Sequence, residues 1–156
     1  MGRIRYASDV GAPVEVAFTY TDNHLFVPDW MFGVAEFEPS GDTDRGLGAR
    51  FRTYARLLLL RTTLTCEITE YRRNVVIGYT LRGRLSGTLT LRFDPLGYGR
   101  SVLTSEVDYE PPRGLIGRLL ARPIESGVRS ALRRTESRLR REIEQFHGTD
   151  LVGRIA

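Results

Sequence analysis

The feature that most restricts the fold is a change of period. From Gly48 to Tyr109 apolar and polar residues alternate, whereas beyond Pro111-Pro112 apolar residues recur every three or four positions as far as Phe146. Period two belongs to strands with one buried face and period 3.6 to an amphipathic helix. Phe51, Thr53, Ala55, Leu57 and Leu59 alternate with Arg50, Arg52, Tyr54 and Arg56, and Leu64, Cys66 and Ile68 alternate with Thr65, Glu67 and Thr69. The pattern continues through Val75, Ile77, Tyr79 and Leu81, then Leu89, Leu91 and Phe93, then Leu103, Ser105, Val107 and Tyr109. Asn74, the glycines from Gly83 to Gly87 and the stretch from Pro95 to Gly99 separate these runs, with no segment long enough for a crossover helix. An antiparallel meander with one dry face follows. The helical stripe is Ile116, Leu120, Ile124, Val128, Leu132, Thr135, Leu139, Ile143 and Phe146. Pro123 has no N–H to donate and is expected to kink or split that helix near residues 119–122.

Upstream of the meander, residues 3–9 read as a short strand. Pro13 suits the first position of a short helix that carries Val14, Ala17 and Phe18 on one face. Pro28 biases Val27 towards an extended conformation. Residues 33–38 alternate as a second strand and residues 39–46 have loop composition.

With 156 residues, 41% hydrophobic and 27% charged, the chain has the composition of one globular domain with room for a sizeable core or cavity. A lone cysteine, Cys66, excludes an internal disulfide and any cysteine-based metal cluster, and His24 and His147 are the only histidines. No metal and no cofactor are expected. The longest strongly apolar run is four leucines, 57–60, too short for the ~20 residues that span a bilayer. No apolar segment follows the charged N-terminus as in a secretory signal, so a cytoplasmic location is expected. All 23 basic residues are arginine, and nine of them lie between Arg113 and Arg141 against only Glu125 and Glu136. The last helix is therefore basic in a chain whose net charge is +4.

Several short segments, taken in order, resemble one family. They are Ala12-Pro13-Val14-Glu15-Val16-Ala17-Phe18, Pro28-Asp29-Trp30-Met31, Gly46-Leu47-Gly48-Ala49-Arg50-Phe51, Glu67-Ile68-Thr69-Glu70-Tyr71, Asp94-Pro95-Leu96-Gly97 and Tyr109-Glu110-Pro111-Pro112. The sequence so resembles the START-like (SRPBCC) superfamily of polyketide cyclases, dehydrases and lipid carriers. Tyr98-Gly99-Arg100-Ser101 departs from the Gly-Gly-Thr turn usual there. The resemblance implies an α+β helix-grip fold: a curved antiparallel sheet around a long C-terminal helix, with two short helices after the first strand. It places one such domain at residues 1–146 and leaves 147–156 as a C-terminal tail. It also implies a cavity between sheet and helix, without fixing an activity.

The inward positions decide what such a cavity would hold. Trp30, Phe51, Thr53, Cys66, Tyr79, Phe93, Ser105, Tyr109, Leu120 and Ile124 are the candidate ligand-binding residues, apolar apart from hydroxyls, a thiol and an indole N–H. That lining suits a hydrophobic or aromatic small molecule, lipid or polyketide-like, held by a few hydrogen bonds; a solidly packed core is the competing reading. General acid–base chemistry needs a carboxylate or imidazole in the pocket. Glu67, Glu70, Glu106 and Asp108 fall on or near the wet face, and His24 reads as a solvated surface residue. No catalytic residue is assigned. A cyclase, aromatase or dehydratase acting on a carrier-bound polyketide is the alternative, with Tyr79, Tyr109 and Trp30 positioning substrate. Trp30 equally suits a plug between the short helices and the sheet, and His147 the end of the last helix, where it complements the dipole. The arginine-rich face is either a solvated helix surface or a dock for an acidic carrier protein. Nucleic acid fits less well, because that face lacks stacking aromatics.

Overall fold

The computed structural model describes residues 2–57, 60–83, 86–110 and 114–155. Leu59, Pro111, Pro112 and Arg113 lie outside them. Seven strands, β1 (Gly2–Val10), β2 (Val34–Pro39), β3 (Arg50–Leu57), β4 (Leu60–Arg72), β5 (Val76–Arg82), β6 (Gly87–Gly97) and β7 (Arg100–Tyr109), form one antiparallel sheet in the order β1-β7-β6-β5-β4-β3-β2. Between β1 and β2 stand α1 (Val14–Asp22), a 3-10 turn (His24–Phe26) and α2 (Val27–Trp30), and after β7 comes α3 (Gly114–Ile155). Together they make a helix-grip fold.

Alternation sets the faces. Phe51, Thr53, Leu64, Cys66, Ile68, Tyr79, Leu89, Leu91, Phe93, Leu103 and Ser105 are all buried, as period two requires. Tyr98 (φ 53) and Gly99 (φ 73) both take left-handed backbone at the tip of the β6–β7 hairpin, the geometry of a type I′ turn that matches strand twist. Tyr98 is fully exposed, so the departure from the family's usual turn disturbs nothing inside.

The helices cover the inner face unequally. From α1, Phe18 meets Tyr71 of β4 and Phe93 of β6, with ring centroids 5.6 and 5.7 Å apart. Trp30 of α2 stands 6.2 Å from Tyr79 of β5, and His24 5.6 Å from Phe51 of β3. The long helix packs on β1, β7, α1 and α2. Two hydrogen bonds fix it there: Phe32 N–H donates to Thr135 Oγ1 (3.1 Å) and Gly11 N–H to Glu144 Oε2 (2.8 Å).

Four expectations change. Val27 is helical (φ −55, ψ −42), because Pro28 sits in the first turn of α2, where its missing N–H has no intrahelical role, and the turn buries Val27 and Trp30. Pro123 does not split α3, which is one helix of 42 residues. Helical backbone also continues past Phe146 as far as Ile155, into the residues read as a tail, since extending an existing helix avoids the cost of nucleation. His147 is thus not at a helix end. Finally, Ile116 and Leu120 are 71% and 44% exposed, whereas Leu132, Leu139 and Ile143 are buried. At ~1.5 Å per residue α3 is about twice as long as a ten-residue strand, more than one strand's length can cover.

Candidate functional site

Strand register brings most of the predicted site residues onto one wall. Phe51 lies opposite Cys66, Ile68 opposite Tyr79, and Leu91 opposite Ser105. Trp30 approaches this wall from α2 and is wholly buried. Phe93 belongs to the same face, under Phe18. The Thr53 hydroxyl is already committed, donating to the Glu36 carbonyl of β2. Tyr109, Leu120 and Ile124 stand apart: Tyr109 is half-buried at the end of β7, Ile124 is half-buried and Leu120 opens to solvent.

Among the described residues several buried groups on the inner face lack a protein partner, the Ser8 and Ser101 hydroxyls towards β1 among them. The Trp30 Nε1–H and the Ser105 hydroxyl are both buried without a hydrogen bond. An unpaired buried polar group costs about 1–3 kcal/mol, which a ligand's polar atom or a water offsets. Burial pushes the Cys66 thiol up to about 12, with the Glu67 charge adding to the effect, so it is a neutral hydrophobe and not a nucleophile. Burial likewise holds the Tyr79 hydroxyl well above the ordinary phenol value, with the neighbouring acidic groups of Cys66, Asp22 and Tyr71 acting in the same direction. Tyr79 therefore donates and does not ionise.

Sequence reasoning missed Asp22. It ends α1 with its carboxylate only 11% exposed. Its Oδ2 accepts from the Tyr71 hydroxyl at 2.9 Å and lies 3.4 Å from Arg45 Nε, while Oδ1 is buried without a partner. Burial raises its pKa, against the lowering effects of the Tyr71 hydrogen bond, Arg45 and Arg73. Burial and the Asp22 contact in turn push Tyr71 up to about 12. The one sequence signal was its position, since a carboxylate at a helix C-terminus opposes the dipole. His24 is not solvated either: its side chain is 16% exposed, beside Phe51 and 3.9 Å from Asp44.

The strand carboxylates singled out from the sequence stay outside, as alternation predicts. Glu67 pairs with Arg50 (2.9 Å), Glu70 with Arg92 (3.6 Å), and Asp108 with Arg3 (2.8 Å). Among the described residues no three His, Cys, Asp or Glu side chains converge as a metal site would need. A surface cleft of about 470 Å³ opens at the other end of the strands, between Leu81, Gly87 and Tyr109, with Asp108 and Glu110 at its rim. Tyr109 alone of the ten predicted residues lines it.

Residues 1–144 match the family described as polyketide cyclase/dehydrase and lipid transport. The chain belongs to that family. No curated protein sequence matches it. Among solved structures, this polyketide cyclase/dehydrase family member is similar to a START superfamily protein from Mycobacterium smegmatis, with 14% identity and a TM-score of 0.73 over 92% of this chain and 97% of that one. It is similar also to the Zhui aromatase/cyclase of Streptomyces sp. R1128, with 16% identity and a TM-score of 0.72 over 92% and 94% of the two chains. A truncated norcoclaurine synthase from Thalictrum flavum gives 14% identity and a TM-score of 0.69 over 91% and 92%. At such identities the likeness establishes the fold. No described helix is long and apolar enough to cross a membrane.

Proposed function

We propose that this family member binds a hydrophobic or aromatic small molecule, lipid- or polyketide-like, against the inner face of the sheet. The observation that carries this reading is the pair of unpartnered donors, Trp30 Nε1–H and Ser105 Oγ–H, in a wall otherwise built from Phe51, Cys66, Tyr79 and Phe93. A ligand with a planar apolar body and one or two acceptor atoms would satisfy both kinds of surface. The family's description, which includes lipid transport, agrees with it. Trp30 is the chain's one tryptophan, so its fluorescence reports directly on this wall. Native mass spectrometry of the purified protein is expected to show a co-purifying apolar compound, and anilinonaphthalene sulfonate is expected to quench Trp30. Ser105→Leu, which fills volume, and Tyr79→Ala, which removes an aromatic wall, should each weaken that probe several-fold. Unchanged quenching in both variants, with circular dichroism preserved, would overturn the assignment.

Asp22 favours a second reading, that of a cyclase, aromatase or dehydratase on a polyketide-like substrate. Its buried, unpartnered Oδ1 would accept a proton from carbon next to a substrate carbonyl, and the protonated Tyr79 hydroxyl would hydrogen-bond the carbonyl oxygen as it gains charge. Delivery on an acidic carrier protein would use the exposed arginines of α3, of which Arg133 and Arg134 also stack on Tyr6 and Phe32. Asp22→Asn then abolishes turnover of a poly-β-keto substrate while leaving probe binding intact. Full activity in that variant removes this reading and leaves the carrier.

A further inference from the structure

The first turns of α3 present apolar side chains to water. Leu115 is 76% exposed, Ile116 71%, Leu119 75% and Leu120 44%, whereas the inward position is taken by the buried Gly117. At about 100° per residue, Leu115, Leu119 and Pro123 succeed one another along the outward line of the helix, with Ile116 and Leu120 on one flank. The other flank carries Arg118 and Arg122, both exposed. No acidic residue occurs between Gly114 and Ile124, and the next one, Glu125, is paired with Arg129 at 3.2 Å. The outward face of these turns is thus an apolar strip with a cationic edge.

We propose that this outward face of residues 115–123 docks on the surface of an anionic phospholipid bilayer. Leucine and isoleucine side chains facing water gain by entering the acyl boundary, and guanidinium groups at the strip's edge meet lipid phosphates at the depth where those phosphates lie. Charge argues against a second copy of the chain as the occupant, because a two-fold contact through this strip brings the Arg118 and Arg122 pairs of both copies into each other's field. An acidic protein would account for the arginines and leave the four apolar side chains unexplained. The cleft at Tyr109 and Glu110 ends four residues before α3 begins, so a docked helix would hold that cleft near the lipid surface. The inference rests on exposed side chains and charge, and not on the ligand proposed above.

Flotation with vesicles tests it. The protein is expected to bind vesicles of phosphatidylglycerol and phosphatidylcholine in about equal amounts at least tenfold better than phosphatidylcholine alone. Leu115→Ser with Leu119→Ser, and separately Arg118→Gln with Arg122→Gln, should each reduce binding to the mixed vesicles about tenfold or more. Arg140→Gln, on the same helix but far from the strip, should leave it unchanged. Helicity and quenching of Trp30 by the soluble probe are measured on every variant; both stay at the parent's values, which separates loss of docking from loss of the ligand site. Failure of the parent protein to bind either vesicle overturns the proposal. So does binding lost only in the arginine variant, which reduces the contact to charge adsorption without entry of the apolar strip, and so does concentration-dependent dimerisation abolished by the leucine variant, which assigns the strip to a second copy.

Discussion

Asp22 carries its charge where the surroundings oppose it, at the C-terminal end of α1 and nearly out of water. Burial outweighs Tyr71, Arg45 and Arg73, so the folded-state pKa stands above the ordinary value of 3.8. The folded protein therefore holds the proton more tightly than the unfolded chain. Stability from this group is full below the unfolded value and is lost as pH rises through the folded one. Asp22→Asn keeps an acceptor for the Tyr71 hydroxyl and has no charge to desolvate, and the exposed Arg45 loses a contact worth at most ~1 kcal/mol. The variant is expected to melt a few degrees higher than the parent at pH 7, with the gap closing as pH falls towards about 4. Melting curves over that range check it, and a gap independent of pH would contradict the burial account. The same cost of unpaired polar groups applies to Trp30 and Ser105, where no charge is involved and pH has no leverage.

Along α3 the leucines have two fates. Leu139 is fully buried, while Leu119, five turns earlier, is 75% exposed. Leu139→Ala removes packed methyl groups and should lower the unfolding free energy by about 2–5 kcal/mol. Leu119→Ala should change it by less than about 0.5 kcal/mol. Urea titrations of the two variants measure the contrast directly. Pro123 adds to it without breaking the helix: the carbonyl of Leu119 has no N–H at position 123 to bond, in a stretch with little packing to compensate. Amides of residues 119–122 should accordingly exchange with deuterium much faster than those of residues 132–139. Equal protection would mean that the first turns are held by contacts the exposed leucines do not make.

At the scale of the whole molecule, the first strand pairs with the last. Gly2 opposes Tyr109 and Val10 opposes Ser101, so β1 cannot take its place until the meander is complete. Trp30 is held between α2 and β5, while α3 is tied to β1–α1 through Glu144 and to the end of α2 through Thr135. These ties join all the elements into one cooperative unit. Trp30 fluorescence and far-ultraviolet ellipticity should follow a single urea transition with the same midpoint. Separate midpoints would show that α3 leaves the sheet before the wall at Trp30 opens.

The order of elements, the buried face of most meander strands and the outward placement of Glu67, Glu106 and Asp108 were legible in the chain itself, whereas β5 buries Val76 as well as Ile77 and Tyr79. They follow from periodicity, which is local: a residue two positions along a strand must return to the same face. Resemblance to a family added the grip of sheet on helix, which periodicity alone leaves open. Tertiary structure decided the rest. Leu120 and Ile116 belong to an apolar stripe, but in the first turns of α3 it is Gly117 that faces inward and those two side chains that meet water. Val27 precedes a proline, yet burial of Val27 and Trp30 draws it into a helical turn. Asp22 drew no notice in the sequence because its chemistry depends on Tyr71, 49 residues away, and on the loss of water that only packing imposes. Desolvation and distant pairing leave no mark on a local pattern, and for that reason the dry face could be read from the sequence while the carboxylate beside it could not.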